Sequence, residues 1–235
     1  MIRHDALDIL ASADIDIEGR MPWSSNATFL VNLLVDGNAE GQAIYKPGKG
    51  ERPLWDFPNG LFRREVAAYR LSDALGWEVV PPTVVRDGPY GNGSLQWFVQ
   101  ADFEQHYFTL HEKRPDLHGQ MMTMCAFDLL ANNTDRKGGH VLIDPHDDHL
   151  WGIDQGLCFA APFKLRTVIW EFAGEPIPRE LLPAVEELCT TVPLAVATLL
   201  DSEEIEALQD RAADLVADPI FPYDPTGRRY PWPLV

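Results

Sequence analysis

The chain has 235 residues, 46% of them hydrophobic and 10% aromatic, with 36 acidic side chains against 19 basic ones for a formal charge of −17. That is enough apolar material for one large domain or two small lobes. The charge excludes nucleic acid and anionic membrane surfaces as partners, because Arg228 and Arg229 make too small a basic patch to overcome it. No run approaches the roughly 20 apolar residues of a bilayer span. Residues 1–10 mix Arg3, His4, Asp5 and Asp8 into their apolar positions instead of forming a signal-peptide core. A soluble, cytoplasmic protein without stable membrane association is expected. Cys125, Cys158 and Cys189 are odd in number, widely spaced and set in apolar surroundings, so they read as reduced core residues and not as a disulfide frame or a zinc site.

In chain order, residues 22–28 (PWSSNAT) offer hydroxyls, an amide and backbone N–H groups able to cradle phosphate oxygens, or a simple turn. The run 28–36 (TFLVNLLVD) reads as a strand, Gly37 and Asn38 as a turn, and 42–46 as the second strand of a hairpin, ending on Lys46. After a loop over 47–59, the spacing of Leu61, Ala68, Leu71 and Leu75 predicts a helix over 61–75, closed by Gly76. Strands are expected at 79–86 and 94–100, with a Gly-rich turn over 87–93. The stretch 117–131 is apolar nearly all round and reads as a buried helix. Short strands at 141–144 and 150–154 form a hairpin around a polar turn, where Asp144, His146, Asp147, Asp148 and His149 are expected to be solvated. Helices follow over 180–188, 192–200 and 203–217, and the tail from Asp218 is punctuated by proline.

Two constellations carry chemistry. Helical projection puts Glu65 on the apolar stripe of its helix, and a buried carboxylate needs a cation. Lys46, at a strand end, is the candidate, and such a pair would hold an ammonium where it can neutralise nucleotide phosphates; the plainer alternative is a snorkelling Glu65 and a surface lysine. The polar segment 132–140 links the buried helix to a hairpin, so it forms a loop held between rigid elements. The hairpin returns the chain toward that loop, so Asp135 and Asp154 can face one cavity. One carboxylate would orient or deprotonate an attacking hydroxyl, the other would hold magnesium, and His140 or Asn133 would be further ligands or positioners. Alternatively Asn132 caps the helix and the aspartates are turn residues.

The ordered set SSNATFLV (24–31), IYKPGKGERP (44–53), REVAAYRLSDALG (64–76), VVPPTVV (79–85), NNTDRKGGHVLI (132–143) and WGIDQGLCF (151–159) resembles the phosphatidylinositol 3-/4-kinase superfamily, closest to the type II phosphatidylinositol 4-kinases and the HipA-type kinases. The resemblance implies an α+β, two-lobed protein-kinase-like fold: a small β-rich N-lobe with one key helix over 1–100, hinge strand included, and a mainly helical C-lobe over 101–235. It implies Lys46 on the phosphates of ATP, Glu65 as its partner, Asp135 as the catalytic-loop aspartate and Asp154 as the metal aspartate. Ser24, Ser25, Asn26 and Ala27 would cover the phosphates, and Gln96, Trp97, Phe98 and Val99 would lie at the hinge beside adenine. His140 stands where those families commonly place a metal-binding Asn, and an imidazole favours metals softer than Mg2+, such as Mn2+. The function so implied is ATP-dependent transfer of the γ-phosphoryl group to a protein side chain or soluble small molecule, with a nucleotide-binding pseudokinase or an AMP transferase as alternatives. The negative charge speaks against a phosphoinositide acceptor.

Overall fold

Period-2 alternation carries the first part of the chain into one antiparallel sheet. The computed structural model describes residues 3–22, 24 and 26–235, the side chains of Arg3 and His4 excepted. Its sheet holds β1 (Asp14–Arg20), β2 (Phe29–Val35), β3 (Asn38–Pro47), β4 (Thr83–Gly88) and β5 (Gly91–Trp97) in the spatial order β1-β2-β3-β5-β4. The β2–β3 turn is two residues, Asp36 and Gly37, both at positive φ (51° and 79°), so Asn38 already belongs to the ladder and not to the expected turn. The expected turn over 87–93 likewise shrinks to Pro89 and Tyr90, and β5 runs three residues earlier than expected. β4 starts at Thr83 because Pro81 and Pro82 have no N–H to give a ladder.

Helix α1 (Arg3–Ser12) and β1 were not anticipated. β1 reads DIDIEGR and alternates exposed with half-buried residues at the sheet edge, so it carries no buried run to betray it. Ala6 and Leu10 of α1 are buried, and Leu10 joins Val31, Leu33, Tyr45 and Leu95 in a small core on the sheet.

α2 (Leu61–Ala74) ends as predicted: Gly76 sits at φ 68° and its N–H donates to Asp73 O at 3.0 Å. The later part of the chain is mainly helical, with α3 (Tyr107–Lys113), α4 (His118–Ala131), the hairpin β6 (Val141–Ile143) and β7 (Leu150–Gly152), then α5 (Leu182–Leu188), α6 (Leu194–Ala197) and α7 (Ser202–Ala217). α3 lay outside the predicted elements, and the helix expected over 192–200 contracts to a single turn behind Pro193. The main core joins Ala67, Tyr69 and Leu71 of α2 to Phe127 and Leu130 of α4 and Leu208 and Ala212 of α7. Arg64, beside Glu65 and 3% exposed, bonds Glu204 of α7 and donates through Nε to Cys158 O at 3.0 Å. The cysteines are free, Cys125 and Cys158 being buried. Among the described residues no helix is long and apolar enough to cross a membrane.

Candidate active site

Lys46 is the penultimate residue of β3 and pairs with Ser94 of β5. Its Nζ donates to Glu65 Oε1 and, at 2.9 Å, to Asp154 Oδ1. Glu65 is 3% exposed, and its second oxygen accepts the N–H of Gln155 at 2.9 Å. A sheet, a helix and the stretch just past β7 therefore meet in one charged cluster. Burial works against the ammonium, but the facing Asp154 and Glu65 outweigh it and raise the Lys46 pKa above its ordinary value. Lys46 in turn holds the Asp154 carboxyl well below the usual range. Burial pushes the Glu65 carboxyl up against the pull of Lys46. Asp154 itself sits at φ 60°, a left-handed conformation costing about 1–2 kcal/mol that short polar side chains tolerate best. Two residues on, a Cβ at Gly156 would lie 3.3 Å from Glu65 Oε1, tighter than an ordinary contact.

The loop after α4 is built by its own side chains. Asn132 caps the helix at φ 50°, as the capping alternative held, and also donates to Ala160 O and Pro162 O at 2.8 Å. Asn133 faces inward: its Oδ1 accepts the Asp135 N–H at 3.0 Å and its Nδ2 donates to Asp128 and Gln155. Asn133 thus positions the loop. Asp135 Oδ2 lies 3.0 Å from Lys137 Nζ, and burial raises the Asp135 carboxyl above its usual pKa. The Asp135 carbonyl is 2.9 Å from His140 Nδ1, so that nitrogen carries the proton and Nε2 turns its lone pair toward Asp154 Oδ2, 3.6 Å away. Burial pulls the His140 pKa down to about 4, which keeps the ring neutral at pH 7 and fit to ligate. One ligand atom each from Asp135, His140 and Asp154 lie within 4.8 Å of one another. This donor set fits a divalent cation, and its nitrogen tilts it from Mg2+ toward a first-row ion such as Mn2+.

Arg136 and Asp128 escaped the sequence reading. The fully buried guanidinium donates to Asp128 through Nε and Nη2, at 2.9 Å each, and through Nη1 to His140 O at 3.2 Å and Ile153 O at 3.0 Å. It thereby ties the loop to the residue before Asp154. A Cβ at Gly152 would come within 3.0 Å of that guanidinium, so glycine makes its room. A signal existed: Asp128 is a carboxylate inside a helix that is otherwise apolar nearly all round, the same argument that singles out Glu65.

A cavity of about 260 Å³ adjoins the cluster, with Lys46, His140 and Asp154 in its wall. Gln96, Trp97, Phe98 and Val99 line it, as does Ser24, whose hydroxyl is 2.7 Å from that of Thr28. The Gln96 amide turns away to Thr83 Oγ1 at 3.0 Å. Asn26 and Ala27 are not in the lining: Asn26 Oδ1 accepts the Arg52 N–H at 2.9 Å and Ala27 N–H donates to Gly50 O at 3.1 Å, so both serve the neighbouring loop. Ser25 lies outside the described residues. Ile44, Leu142 and Ile153 supply apolar wall that sequence reasoning missed, since nothing in a sequence separates such residues from ordinary core.

No family model matches the chain. Protein Rv2133c of Mycobacterium tuberculosis (strain ATCC 25618 / H37Rv) is 39% identical over a 270-residue alignment that covers 99% of this chain and 96% of that protein. Among solved structures, the Golgi casein kinase with Mn/ADP bound superposes with a TM-score of 0.58 at 13% identity, covering 99% of this chain and 80% of its own. Hydra Fam20 with sugar gives 0.57 at 14%, covering 91% and 88%. The Helicobacter pylori proinflammatory kinase CtkA gives 0.52 at 11%, covering 89% and 93%. At such identities the likeness establishes a fold, the two-lobed protein-kinase-like one, while the narrower phosphatidylinositol 3-/4-kinase kinship is not shown by it. Near-complete coverage in both directions at 39% identity settles the kinship: the chain belongs to the family of Mycobacterium tuberculosis Protein Rv2133c.

Proposed function

We propose that the chain is a metal-dependent kinase that transfers the γ-phosphoryl group of ATP to a hydroxyl on a protein side chain or a soluble small molecule. The observation that carries this reading is the meeting of Lys46, Glu65 and Asp154 at the wall of an apolar cavity. In it, residues 1–100 form the N-lobe and 101–235 the C-lobe. Adenine lies against Gln96 to Val99 and Ile44, Ser24 covers the phosphates, and Lys46, aligned by Glu65, neutralises them. Asp154 and His140 would hold the divalent ion, which when bound draws charge off the phosphate oxygens. Asp135 receives the proton of the acceptor hydroxyl as its oxygen bonds the γ-phosphorus, and the bond from that phosphorus to the β–γ bridging oxygen breaks to leave ADP. The order of motifs from residue 24 to 159 also favours descent from the phosphatidylinositol 3-/4-kinase superfamily. Mn and ADP, named for the Golgi casein kinase, are the pair proposed here.

Thermal melts and ADP formation, each with ATP and with Mn2+ or Mg2+, test the reading together. ATP with Mn2+ at a hundredfold excess over Kd stabilises the chain by about 2.7 kcal/mol, and ADP accumulates. A melting temperature and an ADP yield that both ignore nucleotide and metal end the proposal. In the same assay His140→Asn, which replaces the ring nitrogen with an amide oxygen, should move the Mn2+ to Mg2+ rate ratio about tenfold toward Mg2+. An unchanged ratio takes His140 out of the metal shell.

A further inference from the structure

Past α7 the chain forms no further helix, yet it is held down along the segment that follows Asp154. Gly174 N–H donates to Phe221 O at 2.8 Å and Phe221 N–H to Glu175 O at 2.9 Å. Farther along, Arg229 O accepts the Thr167 N–H at 3.1 Å and the Trp170 indole N–H at 3.2 Å, and its guanidinium stands 4.7 Å from the Phe163 ring centre. Leu234 O then accepts the Gly138 N–H at 2.7 Å. Gly138 lies between Asp135 and His140, in the loop that carries the proposed base. A Cβ placed on it would be wedged 3.3 Å from Leu234 O and 3.2 Å from the Phe108 ring.

These contacts bear on what can reach Asp135. Thr167 forms a parallel bridge with Arg136, so the run 166–168 lies edge-on to the loop, with Arg136 N–H on Arg166 O at 3.0 Å and Val168 N–H on Arg136 O at 3.1 Å. An extended polypeptide presenting a hydroxyl at Asp135 would dock by main-chain bonds to such edges. Two N–H groups of these runs, those of Thr167 and Gly138, point away from the 136–167 bridge to the tail, which takes both. Pro231 and Pro233 stiffen the span between, and neither has an N–H to offer. The last four residues remain exposed, Trp232 at 87%, so they are held by these bonds and not by burial in the core.

Resting on the kinase reading above, we infer that the acceptor is a compact, soluble molecule bearing a hydroxyl, and that residues 229–234 fill the run an extended polypeptide acceptor would need. The test compares the full chain with one lacking residues 232–235, which loses Leu234 O but keeps the buried Pro231. A second variant, with residues 232–234 replaced by Gly-Ser-Gly, serves if the shortened chain melts early. ADP formation without acceptor, with ATP and Mn2+, should be the same in all three. Labelling of casein and of myelin basic protein from γ-labelled ATP should be at background for the full chain and rise at least tenfold when the tail is cut or loosened. A synthetic peptide of residues 226–235 should suppress the gain. Equal labelling of these proteins by full and altered chains, at whatever level, overturns the inference, as does robust labelling by the full chain. No ADP from any of the three sinks the kinase reading itself, and the inference falls with it.

Discussion

Asp135→Asn should slow phosphoryl transfer about a thousandfold while nucleotide affinity changes by less than about twofold, because a positioned base contributes roughly 10²–10⁴-fold and acts on the acceptor proton, not on ATP. The geometry makes this substitution a clean one. The loop uses the main chain of Asp135, not its carboxylate, to hold its shape: the N–H donates to Asn133 Oδ1 and the carbonyl accepts from His140. Among the described residues, only the Lys137 ion pair is lost with the charge, and that pair is partly open to solvent. Rate and affinity are read separately, by single-turnover transfer and by ATP titration. A variant retaining more than about a tenth of the turnover removes Asp135 from the chemistry; one that loses ATP binding instead recasts it as a ligand of the nucleotide's metal.

The second large effect is on stability. Arg136→Met should cost about 3–5 kcal/mol in urea melts, since it strands Asp128 as a buried charge, leaves the Ile153 carbonyl without its donor and leaves the His140 carbonyl with the Ile153 N–H alone. Pairing it with Asp128→Asn should recover at least about 1 kcal/mol, because the amide still offers an oxygen to Asn133 without an unpaired charge. A loss below about 1 kcal/mol for the single variant would mean the guanidinium does not hold the loop. The double variant should stay folded and yet transfer poorly on the kinase reading, since Ile153 precedes Asp154 and His140 is its proposed partner at the metal, and a misplacement of about 1 Å near reacting groups can cost about a hundredfold in rate.

What was legible in the sequence follows physical lines. Glu65 stood out because a carboxylate on an apolar stripe demands a cation, and the structure supplies Lys46. Asp135 and Asp154 stood out because a polar loop between rigid elements and a returning hairpin leave them few places to go, and they do converge. Asp128 obeyed the same logic as Glu65, but within a helix read only for its apolar residues its demand for Arg136 went unheard. β1 was missed because its apolar positions are half-exposed, and α1 and α3 because they are short, ten and seven residues, so that tertiary packing more than local pattern makes them regular. Asn26 and Ala27 were grouped with the cavity by adjacency in sequence, whereas bonds to residues 50–52 turn them aside. The tail's path across Thr167 and Gly138 rests on main-chain bonds, which no side-chain pattern announces.

Neighbouring residues of α2 grip opposite halves of the molecule, Glu65 the lysine of the sheet and Arg64 the glutamate of α7. Swinging this helix outward to part Lys46 from Glu65 would also strip a buried arginine of its partner, at about 3–5 kcal/mol, so the disengaged form would be populated at under about one part in a hundred. The helix is a rivet and not a hinge. Amide exchange in α2 should accordingly be as slow as in α7, whether or not nucleotide is present; faster exchange confined to α2 would show the rivet slipping. On the kinase reading, the proposed catalytic geometry then stands ready at all times, and switching such a protein on and off is left to the supply of what it would consume and to whatever guards the doorway.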